Sequence, residues 1–449
     1  MPCLLFHLVG DVEDNVNHVG RFAMRYVFCT LMFVILLTTI IVAADWHVFH
    51  GPNGDNKSPD TELLQKWPDG GPKLLWTADF LGFGYSSVSI SNDRIYSSGN
   101  VRREGNDLSM VFCLDKEGNK IWERDNGPAH TAAQTYPGTR GTPTVDNDFL
   151  YDVSALGEVA CFDAKTGDKK WNRNLITDYN APMPRWFLGH AAVVVGNNLI
   201  CMVGGAKTLA VALDKHTGKT VWESAPAPGG APTSYAMPYL FEFEGMRVVT
   251  AMCNPIDAED VVLIEGLDPM TGKTLFSISW KKQDRNVTNC AMPIYRNGCL
   301  FLVTGNIHGA KMFKLTKNAD GAITATEIWS EKRFDSHHGG FILVGDYVYG
   351  TAHNGTWYSI NFLTGEIGFQ SRAAGKGSVH FADGLIYSLS ESDKTVVLLK
   401  PEPKEFIELS RFELPNEVQG KSWAHPVVLD GRLYLRHAQY LYCYEVKTP

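Results

Sequence analysis

The chain has 449 residues, of which 44% are hydrophobic and 20% charged, a balance that is typical of globular proteins and excludes a disordered chain. The net charge of -8 is mildly acidic and no Lys/Arg-rich run occurs, so no nucleic-acid partner is expected. The 42 glycines and the many aromatic residues, 11 of them tryptophan, favour short strands joined by tight turns.

The first 44 residues have the pattern of an export signal. Arg21 and Arg25 precede an uncharged run over residues 26–44, which ends in Val-Ala-Ala. A basic segment, an apolar run and small residues at its end are typical of a signal peptide, here cleaved after Ala44. The alternative is an uncleaved membrane anchor over residues 26–44, because a run of this length can just span a bilayer.

Both interpretations predict an exported protein, located in the periplasm or associated with the cell envelope. Acidic residues are unusual upstream of the apolar run of a signal peptide, and Asp11, Glu13 and Asp14 occupy that place. Translation is therefore predicted to start at Met24. Residues 45–71, rich in Gly, Pro and Asp, are interpreted as an ordered lead-in to one domain over residues 72–447.

Two signals recur along that domain. The first is a hairpin, in which two apolar strands are joined by a short turn of Asn, Asp or Gly, residue types that tolerate the positive φ of tight turns. The turns are spaced by roughly 40 to 55 residues, which is the period of a propeller blade. They lie at residues 92–93, 146–148, 196–198, 244–245, 297–298, 345–346, 383–384 and 430–431.

The second signal is a polar turn in which an aromatic residue follows a glycine by four positions. Its clearest copies run from Asp163 to Trp171 and from Asp214 to Trp222. The glycine supplies a left-handed turn position, and the aromatic ring can wedge between neighbouring blades. We therefore predict that the blade-packing residues are Trp76, Trp122, Trp171, Trp222, Phe276 and Trp329.

The last repeat ends at residues 440–444 without a fourth strand, whereas a strand-like segment near Trp76 precedes the first hairpin. We predict that this N-terminal strand completes the last blade, since a closed ring leaves no open sheet edge at its seam. The predicted fold is all-β, an eight-bladed β-propeller of four-stranded antiparallel blades.

The cysteines show no spacing of a metal-binding motif, and no metal site is assigned to the sequence. Cys113, Cys161 and Cys443 recur at the same place in their repeats and are interpreted as apolar core residues. Cys290 and Cys299 flank a predicted hairpin, and they are a candidate disulfide in an oxidising compartment.

The phrase from Asp214 to Trp222 resembles the repeat of the pyrroloquinoline-quinone-like (PQQ-like) propeller family. The lead-in from Trp46 to Gly54 and the segments His337-His338-Gly339-Gly340 and Trp423-Ala-His425-Pro426 resemble a subgroup of exported bacterial members. The resemblance covers the chain after the signal and implies the same ring. Within the family, quinoprotein alcohol dehydrogenases bind PQQ and calcium in the central funnel, while the outer-membrane assembly lipoprotein is a scaffold that binds no quinone.

Fold does not determine function, so the residues must be compared with those that the resemblance implies. The adjacent cysteines on which quinoproteins stack their cofactor have no counterpart in the sequence. No cofactor is assigned, although the resemblance allows PQQ with calcium. The predicted function is a binding or scaffold module for a protein or small-molecule partner. The alternatives are a PQQ-dependent alcohol or polyol dehydrogenase of the polyvinyl-alcohol type, and a carbohydrate-binding or lyase-like propeller.

A ligand is expected where the innermost strands and the loops before them converge on the channel. Arginine and lysine there can hold an anion, tryptophan can stack on a planar or sugar ring, and the pair His337-His338 can supply a base or a metal ligand. No catalytic residue is assigned. The candidate channel residues are Arg140, Arg185, Trp186, His190, His337, His338, Lys376, Trp423 and His425, together with Tyr85 and Asn289.

Overall fold

The computed structural model describes residues 45–449 except 134–135, 255–259, 282–287, 307–308, 320 and 416–419. The signal peptide or anchor predicted over residues 1–44 lies outside the described residues. In the part of the chain that is described, no helix is long and apolar enough to cross a membrane.

The described strands form eight four-stranded antiparallel sheets, which are the blades of a propeller. Blade 1 contains β2 (Ser89–Ser91), β3 (Arg94–Arg103), β4 (Asn106–Asp115) and β5 (Lys120–Pro128). Blade 2 contains β6 (Thr144–Asp146), β7 (Phe149–Val153), β8 (Glu158–Asp163) and β9 (Lys169–Asn174). Blade 3 contains β10 (Val193–Val195), β11 (Asn198–Met202), β12 (Ala210–Asp214) and β13 (Thr220–Glu223), followed by a short 3₁₀ turn (Pro228–Gly230).

The next four blades repeat this order. Blade 4 contains β14 (Leu240–Phe243), β15 (Met246–Cys253), β16 (Asp260–Leu267) and β17 (Thr274–Lys281). Blade 5 contains β18 (Ile294–Arg296), β19 (Cys299–Thr304), β20 (Gly309–Lys317) and β21 (Ile323–Glu331). Blade 6 contains β22 (Phe341–Val344), β23 (Tyr347–Thr351), β24 (Trp357–Asn361) and β25 (Ile367–Ser371). Blade 7 contains β26 (Gly377–Ala382), β27 (Leu385–Ser390), β28 (Thr395–Glu402) and β29 (Glu405–Glu413).

Blade 8 joins the two ends of the domain. It contains β30 (Val427–Leu429), β31 (Arg432–His437), β32 (Tyr440–Glu445) and, as its outer strand, β1 (Lys73–Ala78). β1 pairs antiparallel with β32, from Lys73 opposite Glu445 to Ala78 opposite Leu441. The eight-bladed fold and its closure by an N-terminal strand are therefore confirmed.

The eight predicted hairpin turns all join the first and second strands of their blades. Their residues take the left-handed conformation that the sequence predicts, as at Asn92 (φ 51°), Asp383 (φ 46°) and Gly384 (φ 81°). These turns lie at one end of the inner strands. The loops that enter the inner strands lie at the opposite end, which is called the loop face below.

The outer rim is built from a repeated contact between the last strand of one blade and the third turn of the next. In blade 3, Trp222 Nε1 donates a hydrogen bond of 3.1 Å to the carbonyl of Pro269 in blade 4. A Cβ built on Gly272 would lie 2.5 Å from the indole, so only glycine fits beneath it. The same pairing joins Trp76 to Gly118, Trp122 to Gly167, Trp171 to Gly218 and Trp329 to Gly365.

The rim contact is maintained where the chain is interrupted. In blade 7, Phe412 packs on Gly71, where a Cβ would lie 2.5 Å from its ring. Gly71 stands two residues before β1, as Gly118 stands two residues before β5. Phe276 is also buried, but its ring lies over Gly266 of its own blade, and a Cβ on Gly321, two residues before β21 of blade 5, would meet nothing within 4 Å.

The lead-in segment crosses the turn-side end of the channel. Trp46 exchanges backbone hydrogen bonds with Ile90 of blade 1, at 2.8 and 2.9 Å, and is 1% exposed. Further along, Ser58 N donates to the carbonyl of Phe381 in blade 7 at 2.8 Å. The segment between them, including Phe49, therefore closes the channel on the side of the hairpin turns.

Candidate functional site

A cavity of about 80 Å³ lies on the propeller axis, between the lead-in segment and the loop face. The residues just before or at the start of the inner strands line it, and seven of the eight blades contribute. Phe49 of the lead-in forms part of its floor. The lining residues are Phe49, Tyr85, Arg140, Thr142, Gly189, Ala191, Tyr235, Met237, Cys290, His338, Trp423 and His425.

Aromatic rings in the lining of this cavity pack directly against one another. The His338 and Trp423 rings lie 4.1 Å apart and nearly parallel, with an interplanar angle of 13°. Tyr85 packs on Trp423 with a centroid separation of 4.3 Å. Toward the loop face, the exposed Tyr136 lies 5.1 Å from Trp423 and 6.1 Å from Trp186. The rings thus extend from the cavity to the protein surface.

Two arginines accompany the rings. The Arg140 guanidinium lies 5.8 Å from the Tyr85 ring centroid, and its Nη2 donates to the Tyr136 carbonyl at 2.7 Å. Arg185 is exposed and lies 4.9 Å from the Trp186 ring. Burial raises the pKa of Tyr85 to about 12 and that of Cys290 to about 12, so both groups are neutral at pH 7. Arginine therefore supplies positive charge to this mouth.

A polar cluster borders the cavity between blades 5 and 7. Lys376 Nζ lies 2.7 Å from Glu391 Oε2 and 3.1 Å from His337 Nδ1. Burial acts to raise the pKa of Glu391, but its contacts with His338 and Lys376 outweigh burial and hold that pKa below its usual range. Burial lowers the pKa of His338 to about 4 and lowers that of His337 as well. Both imidazoles are therefore neutral at pH 7.

His425 connects the cavity floor to the lead-in segment. His425 Nδ1 lies 3.2 Å from Asn56 Nδ2 and 3.3 Å from the Val379 carbonyl oxygen, and His425 Nε2 lies 3.0 Å from the His338 carbonyl oxygen. Burial lowers the pKa of His425 to about 4. The two ring nitrogens of His425 thus contact the lead-in segment, blade 7 and the loop before blade 6.

His190 and Asn289 do not line the cavity. His190 is 1% exposed, and its Nε2 accepts a hydrogen bond from Met202 N at 3.3 Å inside blade 3. Asn289 Nδ2 donates to Asn254 Oδ1 at 2.7 Å. Both residues lie next to the axis in sequence, but their side chains point into the surrounding blades.

The predicted disulfide between Cys290 and Cys299 is wrong, because both thiols are free. The two residues lie at opposite ends of β18. Cys290 precedes the strand and lines the cavity, whereas Cys299 follows the hairpin turn and is buried in an apolar cluster with Phe301.

Sequence reasoning missed several residues of the site. Phe49 lies in the lead-in segment. Tyr235 lies just before the inner strand of blade 4, the same position that the predicted candidates occupy in their own blades. Glu391 directly follows the fully buried β27, and a charged residue at that point is a usable signal. Glu391 matters to the site because it pairs with Lys376, which lies 15 residues earlier in the sequence, and this pairing could not be read from the sequence.

The sequence matches a family profile described as outer membrane protein assembly factor BamB, over residues 66–232 and 109–371. The chain belongs to this PQQ-like propeller family. No curated protein matches the sequence.

Solved structures show the same fold. BamB from Moraxella catarrhalis is 14% identical with a TM-score of 0.58, covering 83% of this chain and 99% of that one. A europium-containing methanol dehydrogenase is 12% identical with a TM-score of 0.65, covering 87% and 89%. The quinohemoprotein alcohol dehydrogenase from Comamonas testosteroni is 12% identical with a TM-score of 0.61, covering 92% and 82%. At these identities the likeness concerns the fold alone.

The cavity does not fit PQQ with calcium. Calcium takes six to eight oxygen ligands, usually including carboxylates, whereas the described cavity lining contains no carboxylate and does contain the Arg140 cation. The described lining of this cavity therefore lacks the oxygen ligands that calcium requires.

Proposed function

We propose that this protein is an exported recognition propeller, which binds a ligand with an anionic group and a ring at the loop face of its channel. The observation that carries the proposal is the stack of His338, Trp423 and Tyr85, with Arg140 beside it, in a cavity closed from below by Phe49. An acidic sugar residue at the end of a glycan has this chemistry.

Each part of such a ligand has a counterpart in the site. Aromatic faces stack on sugar rings or planar rings, and guanidinium groups bind carboxylates through charged hydrogen bonds. Trp423 Nε1 is buried and has no hydrogen-bond partner among the described residues. A buried indole donor that lacks an acceptor costs stability, and a ligand oxygen would satisfy it.

The family membership supports the role and location of such a module. BamB is described as an outer membrane protein assembly factor. The family therefore includes a propeller that is described by a role in protein assembly and not by an enzymatic reaction. A cell-envelope location agrees with the export signal predicted over residues 1–44. A binding or scaffold role requires only the stable ring and an accessible mouth.

The test is a calorimetric titration of the full chain with uronic-acid oligosaccharides and with their methyl esters. The ester keeps the sugar ring and removes the charge. We expect the acid to bind at least about tenfold more tightly, since one charged hydrogen bond contributes about 1.5–3 kcal/mol. Arg140→Met is expected to abolish the preference for the acid, and Trp423→Ala to weaken binding of both ligands.

Arg173→Met is the matched control, because Arg173 also lies near a tyrosine ring but belongs to the outer strand of blade 2. Equal affinity for acid and ester would contradict the proposal, as would absence of binding to both. Stoichiometric binding of PQQ with calcium, followed by alcohol oxidation, would replace the proposal with a dehydrogenase.

A further inference from the structure

We infer that Cys290, His337 and His338 form a binding site for a zinc-class metal ion at the wall of the axial cavity. The metal site shares His338 with the ligand site proposed above, but the inference does not require that ligand to bind. Cys290 lies in the loop before β18, and the two histidines lie in the loop before β22, so adjacent blades 5 and 6 bring them together. Their ligand atoms all lie within 4.8 Å of one another.

The spacing and the donor types fit such an ion. Zinc binds thiolate sulfur at about 2.3 Å and imidazole nitrogen at about 2.0–2.1 Å in tetrahedral geometry, which places one sulfur and two nitrogens roughly 3.4–3.6 Å apart. Because the observed ligand atoms lie within 4.8 Å of one another, small side-chain rotations would bring them to that spacing. Thiolate and imidazole select zinc, cobalt or copper over calcium and magnesium.

The histidines have nitrogen atoms available for the ion. His337 Nε2 is buried without a hydrogen-bond partner among the described residues, and His337 is 9% exposed. His338 Nδ1 lies 3.8 Å from Glu391 Oε2, beyond hydrogen-bond distance, and it is also buried without a hydrogen-bond partner among the described residues. A carboxylate behind a metal-binding histidine is the usual second partner of such a ring. A small shift of Glu391 toward Nδ1 of His338 would hold the ring proton there and leave Nε2 for the metal.

Lys376 competes with the ion. An ammonium can only donate, so its contact at 3.1 Å makes His337 Nδ1 an acceptor and puts the ring proton on Nε2. Metal binding at Nε2 requires the proton to move to Nδ1. Lys376 must then give up this contact and keep the one to Glu391, at 2.7 Å. Removal of this ammonium is therefore expected to strengthen metal binding.

The site has three protein ligands and one open position. Three ligands with an open fourth position are typical of zinc sites that accept an exogenous group. Cys290 and His338 both line the cavity, so the fourth position faces it. Binding converts the Cys290 thiol to a thiolate and releases one proton to solvent.

The test uses the purified full chain, stripped with a chelator and titrated with Co²⁺ alone. We expect one equivalent to produce the visible d–d absorption of tetrahedral cobalt and a near-ultraviolet thiolate-to-cobalt band, both removed by Zn²⁺. Cys290→Ser should lose the thiolate band, while Cys299→Ser, which removes a buried cysteine of the same hairpin, should keep it. His337→Gln should weaken Co²⁺ binding at least tenfold.

Lys376→Met gives a test that misfolding cannot imitate, because it predicts a gain. Its Co²⁺ affinity should rise at least tenfold over the unaltered protein. Lys421→Met is the matched control, since Lys421 also contacts Glu391, at 3.5 Å, but has no described contact with His337. A thiolate band that persists in Cys290→Ser would overturn the inference. So would the absence of specific Co²⁺ binding in both the unaltered chain and Lys376→Met.

Discussion

The outer rim and the axial cavity of this propeller use aromatic residues in opposite ways. On the rim, each indole lies over a glycine of the next blade and donates to a carbonyl there, so both its face and its N–H are satisfied. At the axis, Trp423 stacks on His338 and Tyr85, while its N–H has no described partner. The rim therefore stabilises the ring, whereas the axis keeps an indole donor that is unpaired among the described residues.

The largest effect is expected where the rim closes. Deletion of residues 72–79 removes β1, its ladder with β32 and the contact of Trp76 with Gly118. At about 1 kcal/mol for each backbone hydrogen bond, the loss of unfolding free energy should exceed about 4 kcal/mol. Chemical denaturation measures it. Leu74→Ser, at a side chain that is 40% exposed in the same strand, is the control, and an unchanged curve for the deletion would refute the closure.

A smaller effect isolates the indole–glycine contact. Gly272 and Gly245 have similar φ values of 72° and 77°, but a Cβ on Gly245 meets nothing within 4 Å. Gly245→Ala should cost about 1–2 kcal/mol for its left-handed backbone alone. Gly272→Ala should cost about 1–3 kcal/mol more, because its methyl group overpacks against Trp222. Equal denaturation midpoints for the two variants would show that the indole contact contributes nothing.

The comparison is sharpened by pH, since indoles do not titrate but the buried groups near the axis do. Burial lowers the pKa of His190 from 6.5 to about 4, so the unfolded chain binds the extra proton between these values. Stability from this group is complete above pH 6.5 and falls on acidification to pH 4, by at most about 3 kcal/mol. His190→Gln should flatten this slope of unfolding free energy against pH.

Asp152 is expected to give the opposite pH dependence of stability in the same experiment. Burial raises its pKa from 3.8 to about 7, so the folded state holds the extra proton. Its contribution is complete below pH 3.8 and is lost as pH rises through about 7. Asp152→Asn keeps the shape of the side chain and cannot ionise. The stability of this variant relative to the unaltered chain should therefore be greater at pH 8 than at pH 5. Parallel pH profiles of this variant and the unaltered chain would contradict the assignment.

The rim was predictable from sequence because its information is local. The turn glycine and the aromatic residue four positions later recur with the repeat, and hairpin turns such as Asn92-Asp93 use residues suited to positive φ. Even the seam could be inferred, because one strand was missing at the end of the chain and present at its start. Short-range pattern and blade count were sufficient.

The axis was predictable only in part. The candidates Arg140, His338 and Trp423 line the cavity because each stands just before an inner strand, and the fold places those positions at the axis. The same rule failed for His190, whose side chain turns into its blade. It also missed Phe49, since contacts between the lead-in and distant blades follow from ring closure and leave no periodic trace in sequence.

The seam also has a consequence for the order of events during synthesis. β1 is made near the beginning of the domain, yet its partner β32 begins at Tyr440, so the strand must wait for nearly the whole chain before it can pair. Such long-range pairing slows folding and leaves intermediates with exposed strand edges. The ring of this propeller can therefore close, and its strand edges become paired, only after the final strand has been synthesised.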